Sequence, residues 1–318
     1  MNGPDAARAF FQGLAERIEG RLFGVRGPLE LVLVGILCDA HVLINDVPGV
    51  GKTTLVRMLA SLLGLRFARV QFTPDLMPSD ITGTSVLNLK SQDFEFRPGP
   101  IFTEVLLADE INRATPKTQA ALLEAMQERQ VTVDGVTYPL PDPFFVLATQ
   151  NPVELEGTFP LPEAQLDRFL LRVRMGYPDE DQEARILTVG REDRTIPSAP
   201  LPEAPGLAEL RSVVGAIRLE EPVRRYIVRL VRATRAHPDL QVGASPRSVE
   251  HMGDAVRARA LLEGRDYVLP DDVKVLAGPV LTHRLVLTTD ARIRDRRPDE
   301  VVADVLEETP VPVEFQGA

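Results

Sequence analysis

A chain of 318 residues with 44% hydrophobic and 26% charged side chains has the make-up of a globular protein of about two domains. Its formal charge of −10, from 36 basic and 46 acidic residues, and its lack of Trp argue against broad phosphate-backbone binding and against a surface of stacked rings. The acidic excess lies in residues 1–204, with 28 acidic against 19 basic side chains, so nucleic acid stays open only through a local patch.

From the N-terminus, Phe10, Leu14, Ile18 and Leu22 predict an amphipathic helix over the first ~20 residues. That segment has no long apolar stretch behind a basic one, as a secretory leader would have. A second helix is expected from Pro28, a good first-turn residue, to about Asp39. The lone Cys38, inside the apolar run Leu29–Leu43, excludes an internal disulfide, fits a reducing compartment and reads as a small buried hydrophobe. No apolar run approaches the ~20 residues of a membrane span, so the expected compartment is the cytoplasm. His41–Asn45 predicts a short strand ending at a Pro/Gly turn. Leu55, Met58, Leu59, Leu62 and Leu63 then mark a helix face that Gly64 ends.

Further strands are expected at Arg66–Phe72, Glu104–Ala108, Phe144–Thr149 and Leu170–Met175. Those from Glu104 and Phe144 are nearly continuous apolar runs, the pattern of parallel strands covered on both faces. Pro116–Arg129 supplies a helix between them. Thr84–Phe96 alternates and predicts a protruding insert, while Val131–Leu140 carries Asp-Gly between alternating residues, a hairpin signal. Around Pro178–Pro205 the composition shifts to Pro, Ala and Glu and reads as a linker. Beyond it, Pro222–His237, Ser245–Glu263 and Pro270–His283 read as helices, so an αβα domain is followed by a smaller helical one. Arginines at 224, 225, 229, 232 and 235 form a charged face, either a solvated helix or a partner patch. The four histidines, His41, His237, His251 and His283, have no metal-ligand spacing.

The strongest chemical signal is DVPGVGKT: Asp46, Val47, Pro48, Gly49, Val50, Gly51, Lys52 and Thr53, continued by Thr54. In a P-loop, backbone N–H groups of a glycine-bent turn surround phosphates, the Lys meets the β- and γ-phosphates and the hydroxyl holds Mg²⁺. Asp46 stands where the pattern has its first Gly, but Gly49, Gly51, Lys52 and Thr53 remain, in a strand–turn–helix context. The second signal is an apolar strand ending in Asp109–Glu110, some 55 residues on. Carboxylates there lie at the sheet edge where open α/β sheets bind ligands. Asp109 then suits Mg²⁺ and Glu110 the attacking water, although Asp-Glu after a strand is also a common solvated or capping pair. The expected chemistry is binding of ATP with Mg²⁺ and its hydrolysis.

Five ordered strings narrow this further: VQFTPDLMPSDITG (Val70–Gly83), FRPGPIF (Phe96–Phe102), ADEINRA, ATQNPVELEGTFPLPEAQLDRF (Ala148–Phe169) and GASPRS (Gly243–Ser248). Together they resemble the MoxR family of AAA+ ATPases, relatives of magnesium-chelatase AAA+ subunits, over about residues 20–285. The resemblance implies an α/β fold: a P-loop AAA+ αβα sandwich with a parallel sheet, plus a C-terminal all-α lid. Residues 1–190 would form the core, 191–205 the linker and 206–318 the lid. Thr84–Phe96 would be the family's helix-2 insert and Val131–Leu140 its pre-sensor-1 hairpin; neither has an aromatic or basic tip, Lys90 being the only basic residue near one.

The resemblance also assigns roles. Asn151 matches the sensor-1 residue that helps orient water, the alternative being a cap on the turn before Pro152. Arg168 resembles an arginine finger reaching a neighbouring subunit's γ-phosphate, the alternative being a surface Arg paired with Asp167 or Glu163. Arg247 matches sensor 2 on a helix starting at Ser245 or Pro246, or is a first-turn surface Arg; Arg113 could face a subunit boundary. The family implies a homo-oligomeric ring, most often a hexamer, that remodels or matures partner proteins with von Willebrand A domains, metal insertion included. Two rivals remain. A chelatase motor subunit would be favoured by neighbouring genes for large chelatase partners. A DNA-associated motor is opposed by the −10 charge and plain hairpin tips.

Overall fold

A computed structural model of the chain describes residues 3–45, 47, 49–151, 157–188, 201 and 206–312. Two helices come first, α1 (Pro4–Glu19) and α2 (Arg26–Leu37). Pro28 falls in the third position of α2 rather than the first; any first-turn N–H lacks an intrahelical partner, so a proline is tolerated at either place. Strand β1 (His41–Asn45) has the limits its apolar run suggests, and α3 (Lys52–Leu62) buries Leu55, Val56, Met58, Leu59 and Leu62 along one face. Next come β2 (Phe67–Gln71), the short α4 (Pro78–Thr82), and the strands β3 (Gly83–Asn88) and β4 (Asp93–Pro98). The core continues with β5 (Val105–Asp109), α5 (Pro116–Glu128), β6 (Gln130–Val133), β7 (Val136–Pro139), β8 (Phe145–Gln150), α6 (Glu163–Leu166) and β9 (Phe169–Val173).

Five strands form one parallel sheet in the order β2-β5-β8-β1-β9. Their side chains alternate between two cores: Val105 and Leu107 of β5 join the cluster on one face, Leu106 and Ala108 the cluster on the other. Strand β8 lies between β1, which feeds the glycine loop, and β5, which ends in the carboxylates. Residues at the end of β8 are thereby held between those two chemical groups.

The alternating insert forms the β3–β4 hairpin, and Asp134 and Gly135, both at positive φ, turn the β6–β7 hairpin. Phe96 of β4 stacks on Tyr138 of β7 with centroids 4.0 Å apart, so the two hairpins lean on each other. The insert's turn, residues 89–92, holds Lys90 and no aromatic side chain; Leu89 in that turn and Phe94 on β4 are exposed. At or beside the four-residue turn 89–92 of a two-stranded sheet, these side chains have no third strand to cover them.

A helix α7 (Glu180–Thr188) occupies part of the Pro-rich stretch, opened by Glu180, Asp181 and Glu183 in its first turn. Most of 191–205 lies outside the described residues; within it, Leu201 N–H donates to Leu62 C=O at 3.0 Å. The C-terminal part holds α8 (Leu207–Ala216), α9 (Glu221–Ala236), β10 (Leu240–Val242), α10 (Arg247–Leu262), α11 (Pro270–Leu281), β11 (Val286–Leu287), α12 (Thr289–Ile293) and α13 (Pro298–Glu308). It is helical apart from the two-stranded β10–β11 ribbon. The arginine-rich α9 buries Tyr226, Ile227, Leu230 and Val231 and exposes all five arginines, of which Arg224 and Arg225 pair with Glu221. One apolar cluster runs from α1 and α2 through the sheet face into α9, α10 and α11. No helix among the described residues is long and apolar enough to cross a membrane.

Candidate functional site

Strand β1 ends at Asn45 and the chain turns through Gly49 (φ 89°) and Gly51 (φ 86°) into α3. Gly51 is required by its backbone angle more than by space, since the flexible Leu22 side chain can give way. Its φ suits glycine, and a Cβ there would stand 2.7 Å from Leu22 Cδ1. Gly49, Gly51, Lys52, Thr53 and Thr54 line a cavity of about 360 Å³ together with Arg69, Gln71, Asp109, Glu110 and Asn151. Val47 and Val50 are half-buried in the loop beside it, and Asp46 and Pro48 lie outside the described residues.

The acidic side of the cavity is fixed by neighbouring strands. Buried Asp109, the last residue of β5, accepts from Thr149 Oγ1 at 2.6 Å on Oδ1. Its Oδ2 accepts from Arg69 Nε and Nη2 at 3.1 and 2.7 Å. The same Thr149 oxygen accepts the Glu110 N–H at 2.8 Å, so one buried hydroxyl pins both acidic residues. Glu110 itself is in the left-handed region (φ 56°, ψ 49°), a conformation that costs a non-glycine residue about 1–3 kcal/mol and is kept where surroundings over-determine it. Its Oε2 accepts from Gln71 Nε2 at 2.7 Å and Arg113 Nη1 at 3.0 Å. Arg113 thus meets Glu110 of its own chain. Lys52 and Arg69 line the cavity beside Asp109 and Glu110, and Arg113 pairs with Glu110, so each carboxylate has a cationic neighbour.

Asn151 follows β8 and lies in the same cavity, buried, one residue past the strand that carries Thr149. Arg168 and Arg247 do not line it. Arg168 pairs with neither Asp167 nor Glu163; its Nη1 donates to Leu123 C=O at 2.6 Å, beside a separate cavity lined by Glu124, Gln127 and Gln165. Arg247, the first residue of α10, is about half exposed, with Nη1 3.8 Å from Asp167 Oδ2.

Sequence reasoning missed Arg69, Gln71 and Thr149. A usable signal existed for two of them: Arg69 and Gln71 alternate on β2 and so share a face, and β2 pairs with β5 so that Gln71 stands opposite Asp109. Thr149 is a polar residue closing an apolar strand, which reads equally well as a strand end.

The donor set fits Mg²⁺. Thr53 and Asp109 offer oxygen ligands in one cavity, as few as a magnesium site with phosphates and water needs. Buried His41 is no ligand candidate: burial and the Arg129 charge lower its pKa to about 3, with Nδ1 accepting from Val146 N–H and Nε2 3.1 Å from Met126 C=O. Burial pushes the Cys38 thiol up, keeping it protonated and unreactive.

Comparisons with known proteins bear on the same residues. The family described as "ATPase family associated with various cellular activities (AAA)" matches residues 41–171, and an AAA lid domain matches 232–305. YeaC of Bacillus subtilis is 48% identical over 300 residues, covering 94% of each chain. The chaperone MoxR1 of Mycobacterium tuberculosis is 44% identical over 89% of this chain and 78% of its own. The protein MoxR of Paracoccus denitrificans is 33% identical over 88% of this chain and 89% of its own. A crystal structure from Cytophaga hutchinsonii, described as a candidate ATPase, superposes with a TM-score of 0.87 at 36% identity, over 97% of this chain and 96% of that one.

Proposed function

The chain belongs to the MoxR family of AAA+ ATPases and hydrolyses ATP, and from that premise we propose that it spends the hydrolysis on chaperone-like remodelling of partner protein complexes. The observation that carries this reading is one cavity in which the glycine loop, Asp109, Glu110 and Asn151 meet, while Arg168 and Arg247 stand outside it. A pocket complete for binding but lacking those two guanidiniums is what a site finished by a neighbour and by a moving lid requires.

Each residue then has a role. Loop N–H groups and Lys52 hold the phosphates. Thr53 and Asp109 hold Mg²⁺, which supplies charge neutralisation at the phosphate oxygens. Glu110 takes the proton of the attacking water, aligned by Gln71 and Arg113 on Oε2, and Asn151 orients that water. Arg168 reaches the nucleotide of the adjacent subunit in a homo-oligomeric ring, taken as a hexamer, and Arg247 reports lid position. Core, linker and lid follow the 1–190, 191–205 and 206–318 division. The bound γ-phosphate favours the closed interface and its loss the open one, which is the differential contact that drives motion.

The clients are taken to be cytoplasmic complexes with von Willebrand A domains, maturation and metal insertion among the outcomes. Affinity capture with Glu110→Gln held in ATP tests this. Retention of a protein with such a domain in ATP and its release in ADP is expected. A retained set that does not depend on nucleotide contradicts it.

A further inference from the structure

Asp167 and Arg168 join α6 to β9, which starts at Phe169, and a residue far along the chain grips that junction from behind. Arg284 lies in the 3-10 turn Thr282–Arg284 after α11 and is 6% exposed. Its Nε donates to Asp167 Oδ1 at 2.7 Å, its Nη2 to Phe169 C=O at 2.6 Å and its Nη1 to Leu170 C=O at 3.2 Å. The remaining contacts stay within the C-terminal helices: Nη1 to Val280 C=O, and Nη2 to His251 Nδ1 at 2.6 Å. His283 Nε2 lies 3.0 Å from the same Phe169 carbonyl. Burial, then the Arg284 charge, lowers the His251 pKa to about 4, so this imidazole is a neutral acceptor at ordinary pH. Arg284, lowered by burial to about 10, stays cationic.

Every contact that Arg284 makes with the N-terminal part therefore falls on the residue before Arg168 or on the two after it. The other carboxylate oxygen of Asp167 faces Arg247 at 3.8 Å. Arg247 and His251 are one turn apart on α10, so both ends of this clamp are carried by one helix. Arg168 itself points out of the clamp, to Leu123 C=O.

We propose that Arg284 is a positioning residue for Arg168: holding Asp167 on one side and the Phe169 and Leu170 carbonyls on the other, it aims Arg168 at the neighbouring subunit's nucleotide and ties that aim to α10. The proposal rests on the reading that Arg168 acts across a subunit boundary. A guanidinium fork is needed, because an ammonium on a flexible stem cannot make the parallel contacts. A displacement of ~1 Å at a catalytic group costs up to about 10²-fold in rate.

The test is subunit mixing with Arg284→Lys, read as nucleotide affinity and turnover. Alone, the variant is expected to bind ATP as the parent does, with kcat lowered about tenfold or more and KM little changed. Mixed with Lys52→Ala, whose pocket is dead but whose Arg168 is sound, it should recover activity. Mixed with Arg168→Ala it should not, since neither partner offers a well-aimed guanidinium. A merely structural role reverses the pattern: the variant's own pocket fails, so Arg168→Ala rescues it and Lys52→Ala does not, and the proposal falls. Asp167→Asn, which leaves the carbonyl contacts in place, should give the same pattern as Arg284→Lys and decides the matter if the lysine variant does not fold. Wild-type turnover in Asp167→Asn would also overturn the proposal. A control mixture of Arg168→Ala with Lys52→Ala reads the underlying assumption separately: no recovery there removes the trans role itself.

Discussion

Replacing Thr149 by valine removes one hydroxyl and almost no volume, and that hydroxyl serves both acidic residues of the site. Two losses follow. The Asp109 carboxylate loses a short charge-assisted bond of 2.6 Å, a class worth about 1.5–3 kcal/mol, toward the low end here because Arg69 still holds the other oxygen. The Glu110 N–H is left without its acceptor, which costs about 1–3 kcal/mol in a buried place. Together these give about 2.5–5 kcal/mol of lost stability with no cavity term. The Glu110 backbone, at φ 56°, is also released from the contact that over-determines its left-handed geometry. Relaxation there moves the carboxylate, and turnover should fall about 10–100-fold. Urea unfolding and steady-state phosphate release measure the two effects. Thr149→Ser, which keeps the hydroxyl, should restore most of both. A valine variant within about 0.5 kcal/mol of wild type and within about twofold in turnover would refute the pinning of both acids by one oxygen.

Lys52→Ala should abolish ATP binding in titration calorimetry, because the phosphate charge loses its ammonium partner; affinity within a few-fold of wild type would contradict the P-loop reading. Glu110→Gln should keep ATP bound while slowing turnover by about 10² or more, and unchanged turnover would remove its role as base. Stability should decline as pH falls below ~6.5, because His41 and His283 are held neutral by burial while the unfolded chain takes up their protons. Their folded pKa values are depressed, so this contribution is complete above the unfolded pKa and is lost progressively on acidification. Urea midpoints flat from pH 7 to 5 would contradict it.

Much of the fold follows from local signals because those signals are local in origin. The five-residue strand His41–Asn45 ends where glycines begin, and Asp134–Gly135 can turn only one kind of hairpin. The glycine loop, Asp109, Glu110 and Asn151 could be placed at one sheet edge for the same reason: each ends or follows a parallel strand, and the ends of such strands converge. What stayed hidden depends on contacts distant in sequence. Arg69 matters only because β2 lies beside β5, and Thr149 only because β8 separates β5 from β1. Arg284 meets residues some 115 positions earlier, and nothing in its neighbours His283 and Leu285 hints at it. Helices α8 and α13 and the β10–β11 ribbon escaped notice because their apolar patterns are short and complete a core shared with other helices.

The central claim is a nucleotide site finished by Arg168 of an adjacent copy, and turnover by a mixture of Lys52→Ala and Arg168→Ala tests it most directly. Neither parent should hydrolyse ATP at an appreciable rate, one for lack of a phosphate-binding lysine and the other for lack of the completing guanidinium. In a ring of head-to-tail interfaces assembled at random from equal amounts, roughly a quarter of the boundaries join a sound pocket to a sound Arg168. Recovery toward that fraction of wild-type turnover is the expected result. A mixture shown to co-assemble yet no more active than its parents would contradict the claim and leave Arg168 a residue of its own chain's α5–α6 surface.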